Sequence, residues 1–445
     1  MKKTELLPDN ENLITSLKED AIKRNEELLY FVCLLDSITG PYSIALDGQW
    51  GSGKTFFVKQ TQLILNLFNE YSQVDNNLNA DDSEKVKNIC QQWVNRKKKE
   101  QLLSNLHICT YFDAWEHDSD KNPIASLLYE ISRTVSKEYS FERNRNNIDI
   151  ILNALDLISG KDFKNLVESL RGENITDETK SDMDLRCQIN EYFEQLLPEH
   201  GDRLVIIIDE LDRCNPCYAV ELLEKIKHYF SNEKITFVFA VNMEQLQHTI
   251  KHHYGNDFNA YKYLDRFFDT VIPIPKLNQS TFFATLPYDT ETTVYKVAGE
   301  FVKRYKMEMR EVLKYFSTLD VVTKYRNGSS EFFGAKRVCF YFVVPIALGL
   351  YKYSVDEYND FISGRDASAL INVLCSEEFK HDVSQYLGVG NEQNLEKAIQ
   401  EIYEAIFVHA VDGQRLTVYG HHYDDSVLKY FYGIIGMLNS TANFE

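Results

Sequence analysis

Nowhere in the chain do enough consecutive apolar residues stand together to cross a bilayer. The longest run, Val338 to Tyr351, falls short of the roughly 18 to 20 residues a membrane helix needs and is interrupted by Pro345, so it reads as buried core. Positive charge is scarce as well: 48 lysines and arginines face 67 acidic residues, a net charge of -19. That balance opposes nonspecific attraction to nucleic acid and to anionic membrane surfaces. The densest basic cluster, Arg96-Lys97-Lys98-Lys99 beside Glu100, is a single helical turn and reads as a solvated face. A disulfide framework is also missing. The eight cysteines are scattered, and Met1-Lys2-Lys3-Thr4-Glu5 carries no apolar signal core, so reduced thiols and a cytoplasmic setting are expected. Cys214-Asn215-Pro216-Cys217 has no second ligand pair at zinc-site spacing, and both cysteines are expected to be buried as small apolar residues. His252-His253 and His421-His422 likewise lack acidic or cysteine partners at ligand spacing and are expected at the surface.

What the chain does have is size and a phosphate-binding pattern. At 445 residues and 44% hydrophobic, it is long enough for one large or two ordinary domains with a real core. The apolar stretch Ser43-Ile44-Ala45-Leu46-Asp47 runs into Gly48-Gln49-Trp50-Gly51-Ser52-Gly53-Lys54-Thr55, which is G-x-x-x-x-G-K-T. Gly48, Gly51 and Gly53 let the backbone curl so that successive N–H groups point at phosphate oxygens. Lys54 is placed to reach the β- and γ-phosphates and Thr55 to offer its hydroxyl to Mg²⁺. The helix begun by Phe56-Phe57-Val58 aims its positive end at the anion. Residues 48–56 are therefore the candidate nucleotide-binding set.

The second signature is Arg203-Leu204-Val205-Ile206-Ile207-Ile208-Asp209-Glu210, an apolar run suited to a strand buried on both faces and ending in two acids, a Walker B pattern. Asp209 would hold the magnesium, and Glu210 would orient or deprotonate the attacking water. A third buried strand, Ile235 to Val241, ends at Asn242, which either contacts the γ-phosphate or its water or caps the helix starting near Met243; the two roles are compatible. Thr270-Val271-Ile272-Pro273-Ile274 reads as a fourth strand, at an edge because of its proline. About 140 residues separate the P-loop helix from Walker B, far more than one crossover needs. His107 to Phe112 supplies another strand there, followed by Asp113-Ala114-Trp115-Glu116-His117-Asp118. Helical spacing at Ile124, Leu127, Leu128, Ile131 and Val135 marks a helical insertion over about 119–200. Ile14 to Ile38, with Leu17, Ala21, Leu28, Leu29, Val32 and Leu35, reads as one amphipathic helix that could lie against the sheet edge and wall the base pocket.

Together these segments resemble the KAP family of P-loop NTPases over roughly residues 5 to 320. The resemblance is carried by residues 48–55 with tryptophan inside the loop, Phe112-Asp113-Ala114-Trp115, Asp209-Glu210-Leu211-Asp212-Arg213-Cys214, Ala240-Val241-Asn242, Tyr263-Leu264-Asp265-Arg266-Phe267-Phe268 and Met309-Arg310-Glu311-Val312. The chain departs from the family pattern at Glu210, Asn242 and Arg266, where the family often has aspartate, an acid and a nearby lysine. Many members also insert membrane helices in the domain, and this chain has none. The resemblance implies an α/β fold: a parallel sheet of the additional-strand type, with Walker A and Walker B on non-adjacent strands. It places a KAP-like domain over residues 1–276, then a helical lid and C-terminal helical region over 277–445. It points to Arg266 as an arginine finger and Arg310 as a lid arginine, with Arg213 a third candidate. For each, a surface or structural ion pair is the competing role.

Beyond about Leu277 the sequence is rich in tyrosine and phenylalanine with helical spacing. Without interleaved arginines, this aromatic density reads as helical core or partner interface rather than a surface for stacking bases. The expected protein is an ATPase using ATP and Mg²⁺, acting as a regulatory switch or small motor, in a homo-oligomer or with a partner protein held through the C-terminal region. ATP is favoured over GTP because no Asn-Lys-x-Asp tetrad follows the strands. Phage-exclusion proteins among bacterial relatives of this family suggest a defence role by analogy. The alternative is a nucleotide-gated scaffold with little turnover. A small-molecule kinase fits less well, because of the long helical insertion.

Overall fold

Runs of β-branched and aromatic residues that are apolar at every position can be satisfied only by strands covered on both sides, and that requirement builds the centre of this protein. A computed structural model describes residues 7–20, 23–70, 80–120, 122–135, 178–276, 282–283, 286, 288–289, 291–326 and 333–441. The chain divides into two compact units, residues 7–276 and, among the described residues, the C-terminal part beyond 277.

In the first unit, β1 (Tyr42–Asp47), β2 (His107–Asp113), β3 (Arg203–Asp209), β4 (Ile235–Val241) and β5 (Thr270–Pro273) form one sheet in the order β2-β3-β4-β1-β5, with every pairing parallel. The P-loop strand β1 and the acidic strand β3 are therefore separated by β4, as expected for an additional-strand sheet. Successive residues of β3 serve opposite cores. Leu204, Ile206 and Ile208 pack with Phe112, Phe237 and Phe239 on one face, while Val205 and Ile207 pack with Ile44, Leu46 and Val238 on the other. Strand β4 is buried along its whole length, and β5 closes the edge beside β1, where Pro273 is tolerated.

The helices α1 (Asn10–Glu19), α2 (Asn25–Ser37), α3 (Lys54–Leu67) and α4 (Ala80–Lys97) feed the core that contains Ile44 and Leu46. The expected single N-terminal helix is two. Asp20 (φ 46°) and Lys23 (φ 54°) turn left-handed and end α1, although Leu17, Leu28, Leu29, Val32 and Leu35 are buried as predicted. The opposite face carries α5 (Pro123–Val135), α6 (Glu178–His200), α7 (Pro216–Tyr229) and α8 (Met243–Tyr254), followed by the short α9 (Ala260–Leu264). Helices α5 and α6 are the described parts of the expected insertion; residues 136–177 lie outside the described residues, as does Ala21. The basic cluster is solvated, with Lys97 paired to Glu26 and Lys99 over the Trp93 ring at 5.5 Å.

The second unit is helical, from α10 (Thr293–Tyr305) and α11 (Met309–Arg326) through α12 (Val344–Tyr353), α13 (Val355–Ile362), α14 (Ser368–Leu374), α15 (Lys380–Leu387) and α16 (Leu395–Glu404) to α17 (Asp425–Thr441). Tyr315, Phe316, Phe340, Phe361, Tyr403 and Phe431 are buried, so much of the aromatic density is packed core. The apolar run from Val338 enters a wide-turn segment, Cys339–Val343, and continues as α12 with Pro345 in its first turn. There the Tyr315 hydroxyl donates to the Pro345 carbonyl at 2.7 Å. No helix among the described residues is long and apolar enough to cross a membrane. A small antiparallel hairpin, β6 (Leu416–Val418) with β7 (His421–Tyr423), was not expected from sequence. All eight cysteines are unbridged. Cys214 is buried but Cys217 is exposed, contrary to the expected burial of both, because Cys217 falls on the outer side of the first turn of α7. His252, His253 and His422 are exposed and His421 is partly so.

Candidate active site

Strand β1 ends at Asp47 and the chain turns back through residues 48–53 to enter α3 at Lys54. Gly51 (φ 87°) and Gly53 (φ 88°) take left-handed conformations that a side chain would disfavour. A Cβ on Gly48 would lie 2.6 Å from the Ile274 side chain and 2.7 Å from the Ser52 hydroxyl, so the tight entry to the loop admits glycine. Helix α3 has no side-chain cap, and Lys54, Thr55 and Phe56 occupy its first turn, where N–H groups have no carbonyl one turn earlier to bond. The Phe56 side chain is buried in the core, so only its backbone faces the loop side of the helix start. The Ser52 hydroxyl is buried inside the loop with no hydrogen-bond partner among the described residues. The Lys54 ammonium donates to the carbonyls of Gly48 (2.7 Å) and Gln49 (3.3 Å). Burial lowers its proton affinity, while Asp212, Asp209 and Glu210 oppose that shift.

The acidic side of the site comes from β3. Asp209 is fully buried, and burial raises its proton affinity against hydrogen bonds from the Thr55 and Tyr111 hydroxyls and the Glu210 amide. The Tyr111 contact is 2.9 Å. Thr55 and Asp209, both expected to serve a metal, lie near enough for the hydroxyl to lower the carboxyl's proton affinity. Two hard oxygen donors near one another suit Mg²⁺ better than a soft metal. Glu210 sits in a left-handed conformation (φ 60°). Burial, helped by the adjacent Asp209 charge, pushes its carboxyl up to about 7, with Arg213 pulling the other way. Asp113, level with Asp209 across the β2–β3 pair, is also raised by burial.

Asn242 fulfils one reading and adds a contact to the loop. Its side-chain oxygen accepts from the Glu244 and Gln245 amides and caps α8, while its nitrogen donates to the Gln49 side chain at 3.3 Å. Trp50 is 47% exposed at the rim, its indole N–H donating to Asp212 at 2.6 Å. Arg213 ion-pairs with Glu210, Nε to Oε2 at 2.5 Å. Arg266 is exposed and lies four residues before the first residue of β5. Because β5 runs parallel to β1, this puts Arg266 at the strand-entry end of the sheet, roughly 20 Å, a six-residue strand's length, from the phosphate loop. Among the described residues its side chain makes no hydrogen bond or ion pair with the phosphate loop, Asp209 or Glu210. Arg310 is exposed in the first turn of α11, in the second unit.

Sequence reasoning missed Arg24, whose buried guanidinium donates to the Ser52 carbonyl at 2.9 Å and braces the loop from behind. It missed Tyr111 for the same reason: neither belongs to a recognisable spacing.

The model of the KAP family P-loop domain matches residues 25–325 of this sequence. The chain belongs to the KAP family of P-loop NTPases. Among solved structures it is distantly similar to the ORC2 protein of Aeropyrum pernix, determined as ADPNP-ADP complexes. The two share 10% identity over 96% of this chain and 94% of that one, with a TM-score of 0.31. No curated protein matches the sequence. In this KAP domain the phosphate loop, the Thr55–Asp209 pair and Glu210 lie together at the exit end of β1 and β3.

Proposed function

We propose that this KAP protein binds ATP with Mg²⁺ and hydrolyses it. The observation that carries the reading is the fully buried Asp209 carboxylate, hydrogen-bonded by the Tyr111 hydroxyl at 2.9 Å, at the end of the strand beside a glycine-turned loop, with Glu210 next in sequence. The loop amides and Lys54 hold the triphosphate, the Ser52 hydroxyl being a further donor inside the cradle. Thr55 and Asp209 would hold the magnesium, which neutralises charge developing on the phosphates. Glu210 orients the water whose oxygen bonds to the γ-phosphorus as the bond to the bridging oxygen breaks, releasing ADP and phosphate. A role for Arg266 in this step fits a second copy of the chain best, since its own loop is roughly a strand's length away.

A second reading, a nucleotide-gated scaffold with little turnover, draws on the Glu210–Arg213 ion pair, which engages the catalytic carboxylate. Steady-state phosphate release on the full chain decides between them. The ATPase reading predicts turnover that falls by about a hundredfold or more in Glu210→Gln while ATP binding persists. Turnover in the parent no higher than in Glu210→Gln would favour the scaffold.

A further inference from the structure

The residues after Walker B form a short 3₁₀ turn, Leu211–Arg213, closed by the Arg213 amide on the Glu210 carbonyl at 3.0 Å. Both polar residues of that turn engage Trp50 of the phosphate loop. Asp212 accepts the indole N–H at 2.6 Å, and the Arg213 guanidinium lies over the Trp50 ring at 5.9 Å. The same guanidinium lies 5.7 Å from the ring of Trp115, in the segment after β2, and its Nε is 2.5 Å from Glu210. Arg213 is therefore flanked by two indoles and bound to the carboxylate assigned to activate water. Both ion-pair side chains are mostly sheltered, at 23% and 15% exposure, so solvent screens the pair only partly.

We propose that Arg213 is a positioning residue that latches Glu210, and that Trp50 and Trp115 keep the latch closed for most of the time even when ATP occupies the loop. The inference rests on the reading that Glu210 orients the attacking water. A carboxylate whose oxygen is held by a guanidinium is a poorer acceptor for a water proton, and its direction is fixed by the pair. Arg213 lies over the ring of Trp50, a residue of the phosphate loop itself, which puts its charge beside the loop that the γ-phosphate enters. A phosphate arriving there competes with Glu210 for the guanidinium. Because Trp50 belongs to the phosphate loop, adjustment of the loop around the phosphate also shifts the stacked ring. Loading of the loop thereby frees the carboxylate only part of the time, and the hold that remains limits turnover.

The test is steady-state ATP hydrolysis by the full chain carrying Arg213→Ala, with nucleotide binding measured separately on the parent. The latch predicts that kcat rises about tenfold, that KM for ATP stays near the parent value, and that the rise disappears in Arg213→Ala/Glu210→Gln. A kcat equal to or below the parent's, or a rise that survives Glu210→Gln, overturns the latch. Arg213→Lys, which keeps the charge but loses the planar fork, serves the same purpose if the alanine variant does not fold: kcat between parent and tenfold is expected, and a fall or no change overturns the proposal. Parent protein that fails to bind ATP rejects the ATPase reading itself. Binding by the parent without a rise in the variants rejects the latch alone.

Discussion

Asp209 shows how one carboxylate is prepared by the groups around it. It has no solvent, and the Tyr111 hydroxyl and the Glu210 amide supply the hydrogen bonds that make a buried charge tolerable. Tyr111 is itself held under Lys59, whose ammonium sits 4.5 Å from the ring centroid. Tyr111→Phe keeps the ring and removes one donor, so it should lower unfolding stability by about 1–2 kcal/mol, read by denaturant titration. An unchanged midpoint would mean the hydroxyl does not support Asp209. The residues of the phosphate loop and the two acids could be read from sequence because their types and spacing are dictated by phosphate and metal chemistry. Their partners could not. Trp50 and Asp212 meet across 162 positions, and Arg24 reaches Ser52 across 28. No local spacing encodes such meetings.

At the scale of elements, the sheet was legible because burial on both faces leaves no polar alternation to confuse the reading, as in Ile235-Thr236-Phe237-Val238-Phe239-Ala240-Val241. The break between α1 and α2 was not, since apolar residues on either side keep one helical spacing and the interruption depends on the left-handed turns at Asp20 and Lys23. The β6–β7 hairpin was missed because three-residue strands carry too little pattern. Asp36, near the end of α2, fastens that helix to the start of β2. It accepts from the Ser104 and Asn105 amides and pairs with His107 at 2.9 Å. Burial alone would raise its carboxyl, but the hydrogen bonds from His107, Ser104 and Asn105 outweigh that and hold it well below the usual carboxylate range. A depressed folded-state value means the contribution is present above the unfolded value of 3.8 and is lost as pH falls through the folded value. Asp36→Asn should therefore melt below the parent at pH 7, by a margin that shrinks as pH drops below about 4. A melting difference independent of pH would show that charge is not what Asp36 contributes.

For the whole molecule, the family match spans residues 25–325, while the described residues beyond them form helices and one small hairpin. The aromatic richness of that region is answered by burial for residues such as Tyr315 and Phe431, whereas Phe333, Tyr351 and Tyr432 remain exposed. Its role was not legible because packing a helical core and meeting a partner call for the same residue types. Arg266, on the far end of the sheet from its own phosphate loop, and the excess of acidic residues belong to this scale too. The acidic excess sets a negative field over the whole chain rather than at one site. The central claim, that residues 48–55 with Thr55 and Asp209 take up a magnesium-bound triphosphate, is tested most directly by calorimetric titration of the full folded chain with Mg²⁺ and a slowly hydrolysed ATP analogue. The account predicts saturable binding at one site that vanishes in Lys54→Ala. Folded protein that releases no heat of binding, or a Lys54→Ala variant that binds as the parent does, would contradict it.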